Sequence, residues 1–237
     1  MCMRIITILS YRMISPLKSL ILLLRNRKGQ SLAEFAVITA MMATFVGTAV
    51  PKFSDVMETG KANKTIQELD KILVQAKNFY ETTATLEGRG RLPGQDKHDM
   101  AVGGYTDSLT LFNDLELFST HKNEVIGKKW ISVFGINHPD APMPTESFFT
   151  DDTLTPDGSG YTPGGKKNCQ NCADDRGTGS EDWIELFTGE ALESPFQDGH
   201  YIYVVIAGSG TGESTRSPKI CVADAESPKS FHKYIDL

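Results

Sequence analysis

Glu34 is the one charged residue between Lys28 and Lys52. A carboxylate in so apolar a run costs on the order of 2 to 3 kcal/mol to place inside a bilayer, even on the lenient insertion scale. A plain anchor has no reason to carry that cost, so the residue must serve some use. Glu34 snorkelling to the interface is the bland alternative. Far downstream, Cys169 and Cys172 are separated by two residues, and Cys221 follows. That spacer suits a tetrahedral zinc site completed by Cys221 with His200 or His232, or a thiol-redox pair. Asp151, Asp152, Asp157, Asp174 and Asp175 offer hard oxygens to calcium, but their spacing matches no calcium loop and reads as a solvated loop. His98, His121, His138, His200 and His232 are scattered in polar contexts and read as surface residues. No triad or paired-carboxylate pattern supports a hydrolase.

The elements that must position these residues begin with a charge asymmetry. The chain has 237 residues, 40% hydrophobic and 23% charged, with a formal charge of −6. This composition is that of a folded protein rather than a disordered one. Residues 1–29 hold six basic side chains and no acid, leaving 18 basic against 30 acidic groups in the rest. A basic head kept in the cytoplasm and an exported acidic body follow from the positive-inside rule. The acidic body argues against nucleic-acid binding, which needs positive charge to displace phosphate counterions.

Leu32 to Val50 reads LAEFAVITAMMATFVGTAV. At about 1.5 Å per residue this stretch spans roughly 28 Å, close to a bilayer core of about 30 Å. A core helix is the alternative, disfavoured by the Arg25-Asn26-Arg27-Lys28 cluster just upstream. A secretory signal with cleavage near Gly47-Thr48-Ala49 is another, but the apolar run is too long and starts too late in the chain.

The stretch Lys28-Gly29-Gln30-Ser31-Leu32-Ala33-Glu34-Phe35 resembles the prepilin peptidase site of type IV pilins and type II secretion pseudopilins. In that family a basic leader ends in Gly, Glu is fifth in the mature chain, and an apolar run follows. The resemblance implies removal of a leader, residues 1–29, by cutting between Gly29 and Gln30. It implies methylation of the new amine on Gln30, although many members have Phe there. It also implies that Glu34 pairs with the amine of a neighbouring subunit during filament assembly, neutralising two buried charges. Translation from Met1 and from Met13 both remain open. Pro51 is twenty-second in the implied mature chain, where many pilins have a helix-kinking proline. Gly47 and Pro51 bracket the stretch where the helix is weakest, since Pro removes a donor and Gly adds backbone entropy.

Beyond Pro51, Ile66, Leu69, Ile72, Leu73, Ala76, Phe79 and Tyr80 recur at helical spacing, with Lys64, Glu68, Lys71 and Lys77 between them. One helix over 30–81, with its transmembrane segment at 32–50, is therefore expected. Gly88 to Gly94 ends it and opens a loop. The head, 82–237, has a possible short helix at Leu109 to Phe118. Strands are expected at Trp130 to Phe134, Tyr201 to Ala207 and Lys219 to Ala223. Pro195-Phe196 before Tyr201 and Tyr203 resembles the approach to a strand in major secretion pseudopilins, and Asp151 to Gly179 reads as a polar loop. The expected fold is α+β: a long N-terminal helix packed on a C-terminal antiparallel sheet, pilin-like.

The resemblance carries further expectations. Pilin heads often pin the C-terminal loop with a disulfide, which favours Cys221 joined to Cys172 or Cys169; a local Cys169–Cys172 bridge is the alternative. The implied protein is a structural subunit of a pilus or a secretion pseudopilus, with no catalysis, metal or cofactor of its own. Its partners would be copies of itself, other pilins or pseudopilins, prepilin peptidase and an inner-membrane assembly platform. It would sit as a single-pass inner-membrane protein with a periplasmic or extracellular head, then in a filament. A membrane-tethered zinc or thiol-redox domain using Cys169 and Cys172 is the reading of another class.

Overall fold

The structure is a computed structural model that describes residues 15–95, 97–135, 138–141, 179–196, 200–210 and 212–237, with backbone alone for 15–30 and 213. Cys2, Met13, Cys169, Cys172 and the acidic residues of the 151–175 stretch lie outside the described residues. The chain divides into two compact units, Met1–Glu58 and Thr59–Leu237.

Helix α1, Ser15–Glu87, runs through the boundary between the two units. It starts earlier and ends later than the expected 30–81. Upstream, apolar residues such as Leu20 to Leu24 are good helix formers with no breaker among them. Downstream, Thr82, Thr83 and Thr85 each donate a hydroxyl hydrogen bond to the carbonyl four residues back, at 2.8, 2.9 and 3.0 Å. Their side chains are thereby satisfied without leaving the helix. Termination falls at Gly88, whose φ of +80° only glycine adopts cheaply.

The second unit is built around one antiparallel sheet in the order β1-β2-β3-β4. Its strands are β1 (Ile131–Ser132), β2 (Tyr201–Ile206), β3 (Lys219–Asp224) and β4 (His232–Asp236). Register pairs Ile131 with Tyr203, Val204 with Cys221, and Cys221 with Tyr234. Alternation along the strands divides the core in two. Tyr201, Tyr203, Val205, Ile220 and Val222 pack with Leu69, Ile72, Leu73 and Ala76 of α1. The opposite face, Ile202, Val204, Cys221 and Ala223, packs with Leu111 and Leu115 of α2 (Ser108–Leu117) and with Phe118 and Trp130. Burial on both faces explains why β2 reads as the unbroken apolar run YIYVVI rather than an alternating one. A long N-terminal helix and a small antiparallel sheet thus make an α+β protein.

Short helices fill the flanks. The Asp107 carboxylate caps α2 by accepting from the Thr110 amide at 2.8 Å, and that bond holds its carboxyl below the usual range. Asn123 caps α3 (Glu124–Gly127) the same way. Helix α4 (Gly179–Leu186) brings Trp183 into the α1 side of the core, edge-on to Tyr203 at 5.5 Å. Its Asp182 accepts from the Gly94 amide at 3.1 Å and pairs with Arg91 at 3.4 Å. Arg91 also reaches Glu87 at 3.1 Å and lies over the Phe79 ring. This buried ionic knot fixes the reversal that follows α1.

Candidate assembly helix

Within the first unit, every described side chain from Ser31 to Glu58 is exposed except Ala49, which is half-buried. Leu32 is 73% exposed, Phe35 70% and Phe45 69%. An apolar surface of this kind, continuous around a helix, must be covered by lipid or by other protein, because water hydrates it poorly. The helix is long and apolar enough to cross a membrane. Its polar atoms suit that setting. Thr39 donates to Phe35 O at 2.7 Å, Thr44 to Met41 O at 2.9 Å, and Thr48 to Thr44 O at 3.0 Å. These hydroxyls are satisfied inside their own helix, as a lipid environment requires.

Glu34 stands on this surface with its side chain exposed, and among the described residues nothing hydrogen-bonds or ion-pairs with it. It lies one helical turn beyond Gln30, so the Gln30 backbone and the Glu34 side chain share a face. Gly29 and Gln30 are themselves helical in backbone. A protease acting between them must unwind about a turn, which glycine at the scissile position eases.

Gly47 and Pro51 are both helical. Pro51 has no amide hydrogen, so the Gly47 carbonyl lacks its usual donor four residues on. A Cβ at Gly47 would meet no atom within 4 Å, so no contact among the described residues demands glycine there.

The cysteine expectations fare differently. Cys221 is a free thiol among the described residues, and its expected partners, Cys172 or Cys169, lie outside them. Its sulfur is aimed from the middle of β3 into the α2 side of the core, where it is 1% exposed, and burial pushes the thiol pKa up. His200 and His232 each direct Nδ1 at a carbonyl, Ala141 O at 3.2 Å and Pro228 O at 3.0 Å. Among the described residues no three His, Cys, Asp or Glu side chains converge on a common point.

Two histidines expected on the surface are buried: His121 is 3% exposed and His200 1%. Desolvation lowers the His200 pKa to about 4. Glu68, expected on the polar face of α1, is 6% exposed and accepts from the Tyr201 hydroxyl at 2.5 Å. Its spacing carries a signal: Glu68 adjoins Leu69 and lies four residues before Ile72, on the apolar face.

Comparison of this chain with protein-family models, with curated proteins and with solved structures found no match.

Proposed function

We propose that this chain is the precursor of a filament subunit of the type IV pilin and pseudopilin class, matured by a prepilin peptidase and acting without catalysis of its own. The carrying observation is Glu34. It is the only charge in a membrane-length run, it is exposed on a helix whose apolar surface is uncovered, and it follows Gly29 by five residues.

Two surroundings must be served in turn. In the membrane, lipid covers Leu32, Phe35 and Phe45. After extraction from it, the same side chains must be covered by other subunits, because exposing them to water would cost of the order of 1.5–3 kcal/mol for each large side chain. Glu34 then serves register. Its carboxylate meets the α-amine of a neighbour's Gln30, and a subunit shifted by one turn would leave both charges uncompensated in an apolar core. The α+β layout, with a long N-terminal helix partly packed on an antiparallel sheet, supports this reading. So does the basic leader ahead of an acidic body.

The partners on this reading are other copies of the chain, related subunits, the peptidase and an inner-membrane assembly platform. The head lies in the periplasm or outside the cell. Glu34→Ala tests the assignment. The variant should insert and be cut as the parent is, since it loses a membrane-embedded charge, but filament yield should fall at least tenfold. Parental filament yield from Glu34→Ala would remove the role given to the carboxylate.

A further inference from the structure

The second unit is acidic, with 17 basic against 27 acidic residues, and has only four arginines. Arg91 is committed to Glu87 and Asp182, and Arg176 lies outside the described residues. The other two, Arg89 and Arg216, line one cleft of about 420 Å³ together with His98, Tyr80, Thr215 and Ser217. Among the described residues neither Arg89 nor Arg216 forms an ion pair.

Three segments meet here: the end of α1, the reversal that directly follows it, and the β2–β3 connection, distant from both in sequence. Gly208 holds two of them together. Its amide donates to His98 O at 2.7 Å, while its neighbour Ser209 exchanges two backbone bonds with Arg216, at 2.9 and 2.7 Å. A Cβ at Gly208 would meet Arg216 O at 2.8 Å and His98 O at 2.9 Å, so only glycine permits this approach. Arg89 donates from Nη1 to His98 Nε2 at 2.5 Å, which fixes the guanidinium against the ring. Tyr80 donates its hydroxyl to Ser217 Oγ at 3.3 Å, leaving the Ser217 proton to donate into the cleft. None of the cleft's lining residues is acidic, and Asp99 places Oδ1 3.9 Å from Nδ1 of His98. The C-terminal end of α1 adds about half a negative charge, which two guanidiniums exceed.

We propose that this cleft binds a phosphate group, either free or as a monoester. Two planar guanidinium forks and a hydroxyl match an anion with three or four oxygens and nearly two charges, where a carboxylate would fill one fork only. The proposal does not rest on the filament reading.

Isothermal titration of the full chain in nonionic detergent tests it, with inorganic phosphate, phenyl phosphate and glucuronate in separate arms. One-to-one saturable binding of either phosphate is expected, and the tighter of the two identifies the source. Arg89→Gln and Arg216→Gln should each weaken binding about tenfold or more, and Arg216→Lys by less, since it keeps the charge and loses the fork. Lys128→Gln, whose ammonium pairs with Glu124 elsewhere, is the control and should bind as the parent does. Thermal melting of each variant checks that the fold is retained; only variants that melt as the parent does count. No saturable phosphate binding, binding of glucuronate alone, or parental binding in all the arginine variants would overturn it.

Discussion

The Tyr201 hydroxyl, at the start of β2, donates a 2.5 Å hydrogen bond to Oε2 of Glu68 on α1, and both residues are buried. Lys64, one turn earlier on α1, stands 3.6 Å from the same carboxylate. The pair pins the helix to the sheet at one rotational setting. Burial first, then the bond to Glu68, pushes the Tyr201 pKa up, so the phenol keeps its proton in any ordinary buffer.

Tyr201→Phe is therefore expected to destabilise the protein by about 1 to 3 kcal/mol, because it leaves a buried carboxylate short of a donor. Glu68→Gln keeps an acceptor for the hydroxyl and should cost less. Urea unfolding of both single variants and the double variant measures the coupling. Additive effects would show that the two side chains do not act as a pair.

Cys221 should behave as a core residue. In the native protein it should resist alkylation by iodoacetamide and react only on unfolding, since the thiolate is disfavoured in its apolar surroundings. Cys221→Ser places a hydroxyl there and should cost about 1 to 3 kcal/mol under reducing and oxidising conditions alike. A cost confined to oxidising conditions would instead indicate a disulfide. Peptide mapping without reductant then reports on Cys169 and Cys172 directly.

The burial of His200 has a pH signature. Its pKa in the folded protein, about 4, is below the unfolded value near 6.5. The unfolded chain therefore takes up the proton first as the medium is acidified. The His200 contribution is fully present above pH 6.5 and is lost as the pH falls towards 4, by an amount on the order of 3 kcal/mol. In a His200→Gln variant, stability measured by urea unfolding should lose this part of its slope between pH 6.5 and 4. An unchanged slope would mean that His200 is not the residue responsible.

Much of this architecture was legible in the residues themselves. Leu69, Ile72, Leu73 and Ala76 announce the buried face of α1 by spacing, and YIYVVI and KICVAD announce the two central strands. The positive φ of Gly88 bears out the helix stop read from the glycine-rich reversal. β4 was missed because HKYID alternates charged and aromatic residues, as befits a half-buried edge strand, and resembles a polar tail. α4 was missed because only Trp183 and Ile184 interrupt its acids, and its burial is decided by a long-range contact with Tyr203. Local sequence also could not show that His200 is buried, since it packs against Ala141, distant in the chain. Gly29, Gln30 and Glu34 are different: the role proposed for them rests on spacing along one helix, which is read from sequence alone.

The most direct measurement of the central claim is the intact mass of the protein recovered from the membrane fraction of cells that express it with a prepilin peptidase. The account predicts a mature chain beginning at Gln30, one methyl group heavier where the amine is modified, and accumulation of the full precursor when Gly29 is replaced by Leu. A chain beginning at Val50, or one that retains Gly29 in the presence of the peptidase, would contradict it.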